Sequence, residues 1–106
     1  MTSFDRSRPS TAALFDLLGR RWALRVLWEL REAPAAFQEL QERCDGMSTS
    51  VLAQRLADLR DAGLIEKSGG AYRLTASGTS LVSRLDFVEE WTSQWGRALG
   101  RRPERR

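Results

Sequence analysis

Residues Phe37 to Ile65 constrain the fold most. Phe37, Leu40 and Cys44 mark a short amphipathic segment, and Asp45-Gly46 supplies a turn. Leu52, Leu56 and Leu59 then recur at i, i+4 and i+7, one face of a second helix from Ser48 to about Ala62. The opposite face carries Ser50, Ala53, Gln54 and Ala57, which are small residues plus one amide. Gly63 is placed to end this helix, and Leu64-Ile65 follows. A helix held on its apolar side, with a small polar outer face, has the shape needed to enter a DNA major groove.

Bulk composition narrows the setting. With 106 residues and 42% apolar content, the chain suits one domain with a modest core. The longest mainly apolar region, Trp22 to Leu30, is interrupted by Arg25 and Glu29, so no membrane span is expected. The N-terminus carries Asp5, Arg6, Arg8 and Pro9 instead of the apolar core of a secretory signal. A single cysteine allows no intramolecular disulfide and fits a cytoplasmic location. With no histidine, a zinc site and histidine-based catalysis are not expected; no cofactor is implied. Of the 17 cations behind the net charge of +3, all but Lys67 are arginines. Arginine suits bidentate contacts to phosphate or guanine, although a GC-rich genome produces the same bias.

In chain order, residues 1–10 read as a flexible basic arm. Ser10 or Thr11 caps a short helix carrying Leu14, Leu17 and Leu18, which Gly19 ends. Trp22, Val26, Leu27 and Leu30 form a stripe that Leu24 and Trp28 widen, the mark of a central helix; Pro34 stops it. Ala35-Ala36 has room for a brief strand. After the helix pair, Leu64 to Lys67 and Ala71 to Leu74 form a hairpin through Ser68-Gly69-Gly70. Thr75 caps a last helix, predicted to run from Ala76 to Leu99, and residues 100–106 form a basic tail. The predicted fold is mainly α with a small β-hairpin wing: a winged helix-turn-helix domain over residues 11–99.

The ordered set of local patterns resembles the HxlR-type winged-helix transcriptional regulators, relatives of the MarR group. It includes Leu17-Leu18-Gly19-Arg20-Arg21-Trp22, Leu27-Trp28-Glu29-Leu30 and Phe37-Gln38-Glu39-Leu40. Gly46-Met47-Ser48, Gly63-Leu64-Ile65, Tyr72-Arg73-Leu74-Thr75 with Gly78 and Leu81, and Trp95-Gly96 complete it. The resemblance implies a DNA-binding homodimer paired through its first and last helices. Leu14 and Leu18 would then meet Leu85, Val88, Trp91, Trp95 and Leu99 at the interface. The chain departs from that pattern in several places. Some relatives sense oxidants or electrophiles through a cysteine before the first helix, where Pro9-Ser10-Thr11-Ala12 stands here. Ala36, Ser50 and Ala57 occupy positions that are often basic, and the wing is short.

Gln54 matches the adenine N6/N7 edge, or is a solvated surface residue. Ser48, Thr49 and Ser50 sit where helix N–H groups hold a phosphate, with a plain N-cap role for Ser48 as the alternative. Arg55 reaches phosphate or pairs with a carboxylate, while Arg21 is a phosphate contact by analogy with the family. Lys67 and Arg73 flank the wing at 67–73 and either grip the DNA backbone or minor groove or serve solubility. Asp58 and Asp61 are unfavourable near phosphate but lie toward the helix C-terminus, which normally points away from the groove, and Cys44 fills a buried slot, with a redox sensor as the alternative. The reading that follows is a non-enzymatic, homodimeric regulator whose partners are double-stranded DNA and itself. Two alternatives stay open: a protein-interaction module with weakened DNA binding, or a regulator whose small-molecule effector sits near the last helix.

Overall fold

Residues 9–101 are described by the computed structural model. The Ser10 hydroxyl accepts the Ala13 N–H at 3.0 Å and opens helix α1 (Thr11–Leu18). Helix α2 (Ala23–Leu30) starts differently. Trp22 precedes it at φ 76°, a left-handed conformation that bulky residues rarely adopt. Its ring packs on the core, and the guanidinium carbons of Arg21 and Arg25 each lie 6.0 Å from the ring centroid. Those contacts hold the strained corner. Ala23, Val26, Leu27 and Leu30 are buried, and α2 packs against α1 and, further along the chain, against two more helices, the second wing strand and the helix that follows the wing. Leu24, expected to widen the buried stripe, instead points to solvent.

Helix α3 (Phe37–Arg43) ends in a tight corner. The Asp45 N–H donates to the Glu42 carbonyl at 3.1 Å and the Gly46 N–H to the Gln41 carbonyl at 2.9 Å. Asp45 takes the left-handed position usually given to glycine, at φ 60°. Arg25 offsets that cost: its Nη2 lies 3.3 Å from the Asp45 carboxylate and donates to the Arg43 carbonyl at 2.9 Å. Helix α4 (Thr49–Asp61) follows. Gln41 bridges the turn, its Nε2 donating to the Met47 carbonyl at 2.8 Å and to Thr49 Oγ1 at 3.2 Å. The angle between α3 and α4 is thus set by side-chain and backbone bonds as well as by apolar packing. At the far end Gly63, φ 74°, lets its own N–H and that of Leu64 reach back to Arg60 and Leu59.

Strands β1 (Ile65–Ser68) and β2 (Ala71–Leu74) pair antiparallel, Ile65 opposite Leu74 and Ser68 opposite Ala71. Gly69 and Gly70 both have positive φ, the two-residue turn whose twist matches the strands. The brief strand expected at Ala35-Ala36 reduces to one bridge, in which Ala35 and Tyr72 exchange bonds of 3.0 and 2.8 Å.

The last helix is two helices, contrary to the sequence reading. Helix α5 (Ala76–Ser83) stops, and α6 (Phe87–Ala98) starts after a three-residue break. The Ser80 carbonyl explains it. An unbroken helix would give that carbonyl to the Arg84 N–H. Here it accepts from Ser83 Oγ and Arg84 Nη1, both at 3.0 Å, while the Arg84 N–H turns to Leu81. No proline or glycine marks the site. The result is a helix-turn-helix pair, a two-stranded wing and a trailing helix, arranged as a winged helix-turn-helix domain. No described helix is long and apolar enough to cross a membrane.

Candidate nucleic-acid interface

Helix α4 carries the first half of the site. Leu52, Leu56 and Leu59 are buried in the core, which turns Ser50, Ala53, Gln54 and Ala57 outward. All four are exposed, as the sequence period requires. Arg60 and Asp61 extend the same outer face toward the helix end. Arg60 was missed in the sequence reading, although the same period would have found it. Ser48 is the N-cap: its hydroxyl accepts the Val51 N–H at 3.2 Å and lies 3.4 Å from the Ser50 hydroxyl. Thr49 Oγ1 accepts from Gln41, so the first turn is already ordered.

Asp58, expected to be unfavourable near phosphate, is neutralised inside the protein. Its side chain is only 10% exposed and gathers three donors. Gln54 Nε2 donates to Oδ1 at 3.0 Å, Arg20 Nη1 lies 3.1 Å from the same oxygen, and Arg55 Nη1 donates to Oδ2. Arg20 also reaches Asp16 at 3.2 Å, tying α4 to α1 through one guanidinium. Burial alone would raise the Asp58 pKa, but the hydrogen bonds from Gln54, Arg20 and Arg55 outweigh it and hold the carboxyl below its usual value. The carboxylate therefore contributes stability that is complete above the ordinary aspartate range and is lost as pH falls through the lowered pKa. Asp58→Asn is expected to lower Tm at neutral pH, with the gap to the parent narrowing below about pH 4. Thermal unfolding across that range checks this; a gap that widens on acidification contradicts it.

The cations divide into two groups. Arg55, weighed between phosphate and carboxylate, faces Asp58, and its Nε is buried with no hydrogen-bond partner. Arg73 pairs with Glu66 across the wing at 3.0 Å. Arg21 is exposed with its guanidinium 6.0 Å from the Trp22 ring centroid, and Lys67 is exposed 5.3 Å from the Tyr72 ring centroid. Among the described residues, Arg21, Arg60, Lys67, Arg84, Arg97 and Arg101 are exposed cations outside the ion pairs, and of these Arg21, Arg60 and Lys67 belong to the helix-turn-helix and wing. Much of the arginine content is structural: Arg25 and Arg43 fasten α2 to α3, and Arg31 stacks on Trp28 at 3.8 Å while reaching Glu89 of α6. The Arg8-to-arm and tail cations at 1–8 and 102–106 lie outside the described residues.

A second surface lies on the helices at the two ends of the described chain. No residue of α1 or α6 is fully buried. Leu14, Leu18, Leu85 and Val88 are half-buried, whereas Trp91, Trp95 and Leu99 are more than half exposed. The Trp91 and Trp95 rings pair at 5.6 Å, and Phe15 and Phe87 add exposed aromatic surface. Cys44 is fully buried at the end of α3.

The sequence profile of HxlR-like helix-turn-helix proteins matches residues 17–99. The chain belongs to this family. An uncharacterised HTH-type transcriptional regulator of Methanocaldococcus jannaschii is 31% identical over 90 residues, spanning 81% of this chain and 85% of that protein. The HTH-type transcriptional regulator YodB of Bacillus subtilis is 29% identical over 94 residues, covering 82% and 84%. The crystal structure of quinone-bound YodB superposes with a TM-score of 0.70 and 32% identity, over 77% of this chain and 93% of that one. This HxlR-type chain is thus a transcriptional regulator with a helix-turn-helix fold, from a family of regulators and not of enzymes.

Proposed function

We infer that this HxlR-type chain binds double-stranded DNA in a sequence-dependent way as a homodimer, with α4 in the major groove and the wing beside it. The observation that carries the reading is the exposed face of α4, uncharged at Ser50, Ala53, Gln54 and Ala57. Its small side chains let the helix approach the base edges, and Gln54 offers the amide that an adenine edge accepts. Arg21 and Lys67 supply the phosphate grip, since each is exposed and outside any ion pair. The exposed Trp91, Trp95 and Leu99 on α6, with Leu14 and Leu18 of α1, supply apolar surface for a second copy.

Binding to a selected duplex, measured against salt, tests this. Gln54→Ala is expected to reduce discrimination at one base-pair position about tenfold and leave the salt slope unchanged. Arg21→Ala should weaken all sequences alike and lower the slope by about one for each phosphate lost. Unaltered binding by both variants overturns the site assignment and favours a winged helix used for protein contacts.

A small-molecule effector is a second reading, favoured by the quinone-bound structure of YodB. Trp91 and Trp95 report on the α6 surface, so a ligand near it should quench tryptophan fluorescence and release DNA in the same concentration range. Titration with a quinone is the direct trial: quenching without DNA release contradicts the effector role.

A further inference from the structure

The bond between Gln54 and Asp58 joins an exposed reading side chain to a mostly buried carboxylate. Asp58 does not sit on a loose surface arm. Arg55 holds its Oδ2, and Arg20 holds Oδ1 at 3.1 Å from outside α4. Only about a tenth of its side chain is exposed. An ionised carboxylate only accepts hydrogen bonds, so it meets just one end of a neighbouring amide. That end is Gln54 Nε2, at 3.0 Å.

The polarity of this contact matters for recognition. A glutamine amide has two ends of similar size and opposite hydrogen-bonding sense, and its terminal torsion is broad and roughly two-fold. A free side chain therefore samples both arrangements and adapts to several base edges. Bonding Nε2 to Asp58 occupies one N–H and leaves the second N–H and the carbonyl oxygen in a fixed order. An ordered donor and acceptor is what the adenine N7 and N6 atoms require together; guanine, with two acceptors at N7 and O6, does not match it. Holding the amide before DNA arrives also removes part of the ordering cost of binding.

We propose that Asp58 is a positioning residue for base readout, fixing the Gln54 amide so that this point of α4 prefers adenine. The proposal rests on the reading of Gln54 as a base contact. Asp58 acts only through Gln54; Arg55, on the same helix, holds its other oxygen, while Arg20 ties this pair to α1 and is not needed to orient the amide.

The test measures relative affinity for the four base pairs at the position where Gln54→Ala flattens preference. It compares the parent with Gln54→Ala, Asp58→Asn, Arg20→Met and the double variant Gln54→Ala/Asp58→Asn. An asparagine at 58 presents both a donor and an acceptor and no longer selects one amide end. Asp58→Asn should therefore narrow the adenine preference about tenfold at that position and nowhere else. The double variant should be no flatter than Gln54→Ala alone. Arg20→Met should lower Tm yet keep the preference, since Arg55 and Gln54 still contact Asp58. If Asp58→Asn does not fold, Asp58→Glu keeps the charge but displaces the acceptor, and the same narrowing is expected. An unchanged preference in the Asp58 variants, or equal flattening by Arg20→Met, overturns the positioning role alone and leaves Asp58 as an anchor. No effect of Gln54→Ala at any position overturns the base-reading role and the positioning role with it.

Discussion

Gly78→Ala is expected to destabilise the domain by about 3 kcal/mol, a drop in Tm of at least about 10 °C. A Cβ at this position would lie 2.0 Å from the Leu64 carbonyl oxygen and 3.0 Å from its carbon. Both are backbone atoms, so no rotamer change relieves the overlap; α5 must move. That movement breaks a pinned corner. Thr75 donates its N–H to the Leu64 carbonyl at 3.0 Å, its hydroxyl donates to the Gly63 carbonyl at 2.6 Å, and the same hydroxyl caps Gly78 at 3.1 Å. The corner joins the end of α4, the root of the wing and the start of α5. Alanine at the neighbouring exposed Ser77 provides the control and should change stability by no more than about 0.5 kcal/mol. Urea unfolding of the three proteins decides it: a Gly78→Ala midpoint equal to that of the parent contradicts the close approach.

Replacing Trp91 and Trp95 together with glutamate is expected to convert the proposed dimer to monomer, raising its dissociation constant by at least about a hundredfold. The two residues are 55% and 52% exposed in the single chain, and their rings pair at 5.6 Å. Large aromatic anchors of this kind carry most of the energy of an interface, and each occurs twice in a symmetric dimer. The monomer fold should survive the change, because α6 places no fully buried residue in the core. Light scattering reads the mass and circular dichroism the helix content. DNA affinity should fall as well, since two half-sites are then no longer held by one molecule. A variant that remains dimeric moves the interface elsewhere; one that is monomeric but unfolded shows that α6 belongs to the core.

The winged helix-turn-helix plan was legible because its signals are local. The period of Leu52, Leu56 and Leu59, the Ser48 cap, Gly63 past the end and the Gly69-Gly70 turn each act within a few residues, and each agrees with its neighbours. The break after Ser83 was not legible. It arises from side chains competing for the Ser80 carbonyl, a choice that helix periodicity does not encode. The pairing of Asp58 was not legible for a different reason. On the sequence it is an acid toward the C-terminal end of α4, and only the tertiary fold brings Arg20 to it. Arg55 follows from the same pairing, which removes it from the exposed cations. Gln54 and Ser50 could be placed on the exposed face from pattern alone, because exposure on a helix face follows directly from burial of the other face, whereas Arg21, in the turn before α2, rested on the family resemblance.

Selection of bound duplexes from a random double-stranded library at low salt tests the proposed DNA reading most directly. The expected product is a roughly palindromic motif with half-sites about one helical turn, roughly 10 base pairs, apart. One position in each half-site should lose its adenine preference when Gln54→Ala is selected in parallel. A library that emerges without any enriched sequence contradicts sequence-dependent recognition by α4.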